Sequence, residues 1–269
     1  MSRLHKNRFL IARRAVQLII LFLFIGAANW GWTLLKGNLS AAKVLDTFYI
    51  ADPYAVVQML FAGKIPSWDI IIGALIITVL YALLVGRSFC SWVCPMNIVT
   101  DTARWLKNKL GLKSSRYLKI DRNLRYWIVG LSLFMSIILG VAAFEFISPV
   151  SVLHRAIIYG AGMSWLIVLL IFLLDLLIKD YLWCGYLCPL GGFYSALSHK
   201  SVVKIYHDVD NCDKDCVECK KVCPEVQVMD IIKKEKGVIK SGECTNCGRC
   251  IESCNYKALK FSIFKKTKS

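Results

Sequence analysis

Eight cysteines crowd into the last quarter of this chain, in the order Cys212-x3-Cys216-x2-Cys219-x3-Cys223-Pro224 and Cys244-x2-Cys247-x2-Cys250-x3-Cys254. Four more stand earlier, as Cys90-x3-Cys94-Pro95 and Cys184-x3-Cys188-Pro189. All 12 cysteines of the 269-residue chain therefore belong to tight groups with metal-ligand or redox-motif spacing. Thiols a few residues apart let one loop wrap a metal centre, so the pattern argues for metal in a reducing compartment and against a disulfide framework.

The spacing of the last eight matches the bacterial ferredoxin run, in which three cysteines bind one 4Fe-4S cubane and the fourth reaches across to the other. Cluster one is thereby assigned to Cys212, Cys216, Cys219 and Cys254, and cluster two to Cys244, Cys247, Cys250 and Cys223. Two departures mark the run. The first group has three residues instead of two between its first cysteines, and Asn255 replaces the proline usual after the last. The competing reading is a pair of zinc sites, each held by four thiolates.

The rest of the chain belongs to a different solvent. Hydrophobic residues make up 57% of the sequence and mean hydropathy is +0.53, too apolar for an ordinary soluble domain. A bilayer core of roughly 30 Å needs about 20 apolar residues per helix. Four stretches approach that length, at 15–35, 70–86, 126–144 and 157–174. The first follows Arg13 and Arg14 but exceeds a signal-peptide core, and no small-residue cleavage site follows, so it reads as a retained anchor.

The formal net charge is +16, but the cations flank apolar segments, a pattern of topology and of contact with anionic lipid more than of nucleic-acid binding. Arg3, Lys6, Arg8, Arg13 and Arg14 precede the first span. Arg87, Arg104, Lys107, Lys109, Lys113, Arg116, Lys119, Arg122 and Arg125 separate the second from the third. Both segments are expected on the cytoplasmic side, which puts both termini inside. The expected architecture is a polytopic α-helical membrane domain over 1–197, with four spans, followed by a cytoplasmic bacterial-type two-cluster ferredoxin module over 198–269.

The membrane part is duplicated. Phe89-Cys90-Ser91-Trp92-Val93-Cys94-Pro95 aligns with Trp183-Cys184-Gly185-Tyr186-Leu187-Cys188-Pro189 at an offset of 94, and Asp52-Pro53 and Ser148-Pro149 occupy similar places on the outer connections. Four positions along a helix bring Cys90 to the same face as Cys94, and Cys184 to that of Cys188. The proline after each pair argues that the helix breaks there. A redox, metal or docking role follows for the four thiols, including a shared four-thiolate metal site; the plainer reading is that they pack as small apolar residues.

Ionisable residues near membrane depth are few. Glu145, His154, Arg155 and Asp52 are the candidates for an outward quinol site, against a plainer role as anchors of helix ends. His5, His199 and His207 show no ligand spacing, and no haem-attachment motif is present.

Twin C-x3-CP motifs after apolar hairpins, joined to a two-cubane tail, resemble the NapH/MauN family of quinol dehydrogenase membrane components over essentially the whole chain. The resemblance implies a protein of the bacterial inner membrane that takes electrons from menaquinol or ubiquinol. With a NapG-type periplasmic iron-sulfur partner, and a membrane-anchored multihaem cytochrome c, it would supply the periplasmic nitrate reductase system. It carries over the twin cysteine pairs as a signature and the tail cysteines as cluster ligands, and no quinol-site residue. A membrane metal-ion (cupric) reductase and a cluster-based assembly or regulatory factor are the alternatives.

Overall fold

The structure, a computed structural model, describes residues 7–263 apart from 33, 113–119, 161, 163 and 214. His5 and the cations Arg3, Lys6, Lys113, Arg116 and Lys119 lie outside the described residues.

In chain order, helix α1 (Arg8–Trp30) leads into an antiparallel meander of β1 (Leu35–Gly37), β2 (Ala41–Val44) and β3 (Phe48–Ala51). Then come α2 (Pro53–Phe61), α3 (Trp68–Val79) with a π-helical continuation Leu80–Val85, the short α4 (Phe89–Trp92) and α5 (Met96–Lys109). Next are α6 (Leu124–Leu139), α7 (Ala143–Ile147), α8 (Pro149–Tyr159), α9 (Ser164–Leu177), a π-turn Trp183–Leu187 and α10 (Pro189–Leu197). The tail adds β4 (Val203–His207), α11 (Glu218–Val222), β5 (Gly237–Val238), α12 (Arg249–Glu252) and β6 (Leu259–Ile263).

The expected spans shift for local reasons. Arg8, Arg13 and Arg14 do not interrupt a helix, so α1 starts well before position 15. Gly140 (φ +63°) caps α6 in the left-handed region and ends it at Leu139, and Gly160 (φ +65°) likewise ends α8. Among the described residues, two helices are long and apolar enough to cross a membrane, Arg8–Trp30 and Trp68–Val85; Leu124–Leu139 and Trp165–Leu177 are apolar but shorter.

The chain divides into two compact units, each assembled from separated stretches: 1–16, 79–93 and 194–269 in one, 17–78 and 94–193 in the other. The second unit is inside-out relative to a soluble fold. On α6, Ser132 and Ser136 are buried while Leu131, Phe134 and Ile138 face outward. On α9, Asp175 is buried while Leu166, Leu170 and Leu173 are exposed. Apolar surface on this scale marks a membrane or protein contact. Several buried polar groups satisfy one another: Ser136 Oγ donates to the Ser132 carbonyl at 2.8 Å, and the Phe144 amide donates to Gln58 Oε1 at 2.9 Å. Gly73 lets α3 lie against β3, because a Cβ there would stand 2.1 Å from the Tyr49 carbonyl oxygen.

In the first unit, β4 sits at the centre of a three-stranded antiparallel sheet in the order β5-β4-β6, with Val203 opposite Ile263 and His207 opposite Leu259. Ile205, Val228, Met229, Ile232, Ile239 and Leu259 form its core together with Cys219, Cys223 and Cys250.

Candidate metal centres

The eight tail cysteines gather into two cavities. Cys212, Cys216, Cys219 and Cys254 line one, with Ile232, Tyr256 and Leu259. Cys223, Cys244, Cys247 and Cys250 line the other, with Ile205, Val228 and Met229. The backbone prepares each set. Cys219 lies on α11, which ends at Cys223 in extended geometry (ψ 127°) ahead of Pro224, so Cys223 leaves the loop that carries its sequence neighbours. Gly248 (φ +75°) opens α12, which carries Cys250, and a Cβ at Gly248 would meet the Phe9 ring at 2.7 Å.

The electrostatics separate the same sets. Burial pushes the Cys212 and Cys219 thiols up, and Cys254 is the next like-charged neighbour for both. Burial pushes Cys244 up to about 12, and it raises Cys223 and Cys250 further, with Cys247 adding to all three. Cys219 and Cys250 feel each other across the two sets. Four thiolates in a dry cavity are tenable only around a cationic centre. A single zinc ion with Zn–S bonds of about 2.3 Å would require sulfurs about 3.8 Å apart. Among the described residues, no three His, Cys, Asp or Glu side chains converge closely enough to hold one ion. The four cysteines of each set line a cavity.

Neither C-x3-CP pair lies on one uninterrupted α-helix, because the proline after each second cysteine opens a new helix. In the first copy, Cys90 is on α4, the helix stops at Trp92, and Cys94 precedes Pro95 at the cap of α5. In the second, Cys184 is inside the π-turn, Cys188 is extended (ψ 110°), and Pro189 starts α10. Cys94 and Cys188 are buried, Cys90 and Cys184 half-buried. The Cys94 carbonyl accepts from Gln17 Nε2 at 3.2 Å, and Cys184 Sγ stands 4.0 Å from Thr100 Oγ1.

The first copy is fastened to the loop between Cys244 and Cys247. Ser91 Oγ donates to the Thr245 carbonyl at 2.7 Å, and Trp92 Nε1 donates to the Asn246 carbonyl at 3.1 Å. Asn246 Nδ2 returns bonds to the carbonyls of Val85 (2.9 Å) and Val203 (3.0 Å). Arg87, fully buried, donates to Glu225 Oε1 at 2.7 Å and to the Glu243 carbonyl at 3.3 Å.

The outward ionisable residues divide by environment. Asp52 caps α2, accepting from the Tyr54 amide at 3.3 Å. Glu145 accepts from the hydroxyls of Ser40 and Ser151. Arg155 is exposed. His154 is 1% exposed, stands edge-on to Phe24 with centroids 4.6 Å apart, and among the described residues has no hydrogen-bond partner on either ring nitrogen.

The family description "4Fe-4S binding domain" matches residues 67–113 and again 161–205, the two copies of the repeat, and "4Fe-4S dicluster domain" matches 204–255. The ferredoxin-type protein NapH of Haemophilus influenzae is 43% identical over 263 residues, 96% of this chain and 91% of the relative. NapH of Escherichia coli is 38% identical over 253 residues, 93% of this chain and 87% of the relative. The methylamine utilization ferredoxin-type protein MauN of Paracoccus denitrificans is 40% identical over 244 residues, 90% and 85%. The chain belongs to the NapH/MauN family of ferredoxin-type proteins. No solved structure matches it.

As a NapH/MauN protein, the chain is a 4Fe-4S ferredoxin-type electron-transfer component associated with a membrane. From the sequence, Arg87 counts only as a cytoplasmic cation and Ser91 and Trp92 only as positions of the repeat, while Glu225 does not stand out. The available signals were slight: Arg87 directly follows Gly86 at the end of an apolar run, and Glu225 is the first acid after Cys223-Pro224.

Proposed function

We propose that this NapH/MauN protein is the membrane iron-sulfur subunit of a quinol dehydrogenase, passing electrons from menaquinol or ubiquinol towards a periplasmic reductase. The periplasmic nitrate reductase system is the proposed acceptor, with a NapG-type iron-sulfur protein and a membrane-anchored multihaem cytochrome c as partners; the twin cysteine pairs, a partner's haem and the quinol itself are the candidates for carrying electrons across the bilayer. The observation that carries this reading is the pair of four-thiol cavities, whose Cys219, Cys223 and Cys250 share one hydrophobic core, in a chain whose other unit buries polar and exposes apolar side chains. Cys212, Cys216, Cys219 and Cys254 hold one 4Fe-4S cluster in this reading, and Cys223, Cys244, Cys247 and Cys250 the other. Bound there, such clusters accept and release single electrons at potentials set by their surroundings.

The apolar helices form four spans with both termini in the cytoplasm, the orientation that the cation-rich segments favour. Quinol releases two protons with its two electrons, so its site needs a proton acceptor at membrane depth. His154 supplies one, a buried imidazole with free nitrogens, with Glu145, Arg155 and Asp52 on the same outward side.

The test is anaerobic purification with the membrane partners, followed by mixing with a menaquinol analogue while cluster reduction is followed by EPR. Reduction on mixing is expected. Intact clusters that stay oxidised would shift the assignment to a metal-ion reductase or an assembly factor.

A further inference from the structure

The two C-x3-CP copies are alike in their cysteines and unlike around them. Three side chains of the first copy, Arg87, Ser91 and Trp92, bond to the segments that carry Cys223, Cys244 and Cys247. At the offset of 94, their counterparts are Tyr181, Gly185 and Tyr186. Glycine has no hydroxyl to donate, and tyrosine, carrying no positive charge, cannot form the ion pair that Arg87 makes. The second copy uses those positions within its own unit. Tyr181 donates to Asp101 at 2.9 Å, and Tyr186 lies under Lys179 and Arg122, at 4.2 and 4.6 Å from the ring centroid.

The Arg87–Glu225 pair is the most telling of the differences. Both side chains are almost completely buried, at 1% and 3% exposure. A buried ion pair seldom stabilises a fold better than a well-packed apolar pair would, because both charges must be stripped of water. This one sits two residues beyond Cys223. Arg87 also donates to the carbonyl of Glu243, the residue before Cys244, at 3.3 Å, so the guanidinium borders the segments of two of the four cysteines. Cys90 is a hydrogen-bonding neighbour of the same guanidinium.

We propose that the buried Arg87–Glu225 pair sets the reduction potential of the centre held by Cys223, Cys244, Cys247 and Cys250, and that the first C-x3-CP copy is specialised for this while the second is not. The proposal rests on the ligand assignment above and not on quinol as the donor. A reduced cluster carries one more negative charge than an oxidised one, so a nearby cation stabilises the reduced form and a nearby anion the oxidised form. Arg87 and Glu225 are thus positioning residues that bias the same electron in opposite directions.

The experiment is a dithionite-mediated potentiometric titration of the membrane-embedded holoprotein, monitored by EPR without quinol, with iron measured on each sample. Glu225→Gln leaves a guanidinium that cannot shed its proton, so the midpoint potential of cluster two should rise. Arg87→Gln leaves the carboxylate and should move it down, while Arg87→Lys should stay nearer the parent value. Cluster one and the control variant Tyr181→Phe should show no shift. Opposite shifts with full iron content support the proposal, because a purely structural role would not produce opposite signs. An unchanged potential in Glu225→Gln with full iron overturns it, and so does loss of the cluster-two iron in both charge variants, which would make the pair a folding element. A failure of quinol oxidation elsewhere would leave these potentials readable.

Discussion

At the scale of single residues, His154 separates a working site from packing. A buried imidazole without partners loses the hydrogen bonds it had in water, at a cost of roughly 1–3 kcal/mol, and such a group needs a reason to be there. If it takes the quinol proton, His154→Phe keeps the bulk against Phe24 and removes the acceptor. We expect quinol-driven cluster reduction to slow by about 10²-fold or more with iron content unchanged; an unaltered rate would assign His154 to packing. The cysteine groups stand out in the sequence because ligand spacing within each is a local property, set by how a loop of two or three residues wraps a centre. The Arg87–Glu225 pair does not, since its partners are 138 residues apart and neither residue type signals burial.

At the scale of elements, apolar runs located the helices but not their ends. Gly140 and Gly160 set two of those ends through left-handed caps, and arginines in the first turns of α1 lengthened it against the hydropathy profile. The meander β1–β3 and the helix α2 were not foreseen. In sequence the connection between the first two spans simply balances Lys36, Lys43 and Lys64 against Asp46, Asp52 and Asp69, whereas in the fold Lys43 and Lys36 both pair with Asp46, in the turn between β2 and β3, at 2.9 and 3.3 Å. Prolines at the starts of α2 and α8 suit a first helical turn, where no amide donor is needed. The close packing of α3 on β3 yields a direct expectation. Gly73→Val must push helix from strand, since backbone oxygen cannot yield as a flexible side chain does. Overpacking of this kind costs about 1–3 kcal/mol or more, so the variant should melt at a lower temperature in detergent. Parent-like melting would show that the helix does not approach Tyr49 as described.

At the scale of the whole molecule, charge along the sequence carries the proposed topology, and no single helix does. Lys64 lies between α2 and α3, in a connection expected to face outward. An added reporter cysteine, Lys64→Cys, should react with a membrane-impermeant maleimide above the level of the parent chain in intact cells that have only the outer membrane permeabilised, while a C-terminal tag should resist protease until the inner membrane is opened. Labelling only after lysis would reverse the orientation. The division of the chain into two discontinuous units leaves no mark in composition, because 79–93 reads as the end of an apolar span and yet clusters with the tail.

Everything in this reading depends on two four-thiol cavities that each hold an iron-sulfur cube with one ligand exchanged between the halves. Iron and acid-labile sulfide on the anaerobically purified holoprotein, together with EPR of Cys223→Ala, Cys247→Ala and Cys219→Ala, address this directly. We expect about eight iron atoms per parent chain, about four in each variant, and a remaining signal in Cys223→Ala that matches Cys247→Ala and differs from Cys219→Ala. A Cys223→Ala signal that matches Cys219→Ala, or a parent chain carrying about two zinc ions and no sulfide, would contradict it.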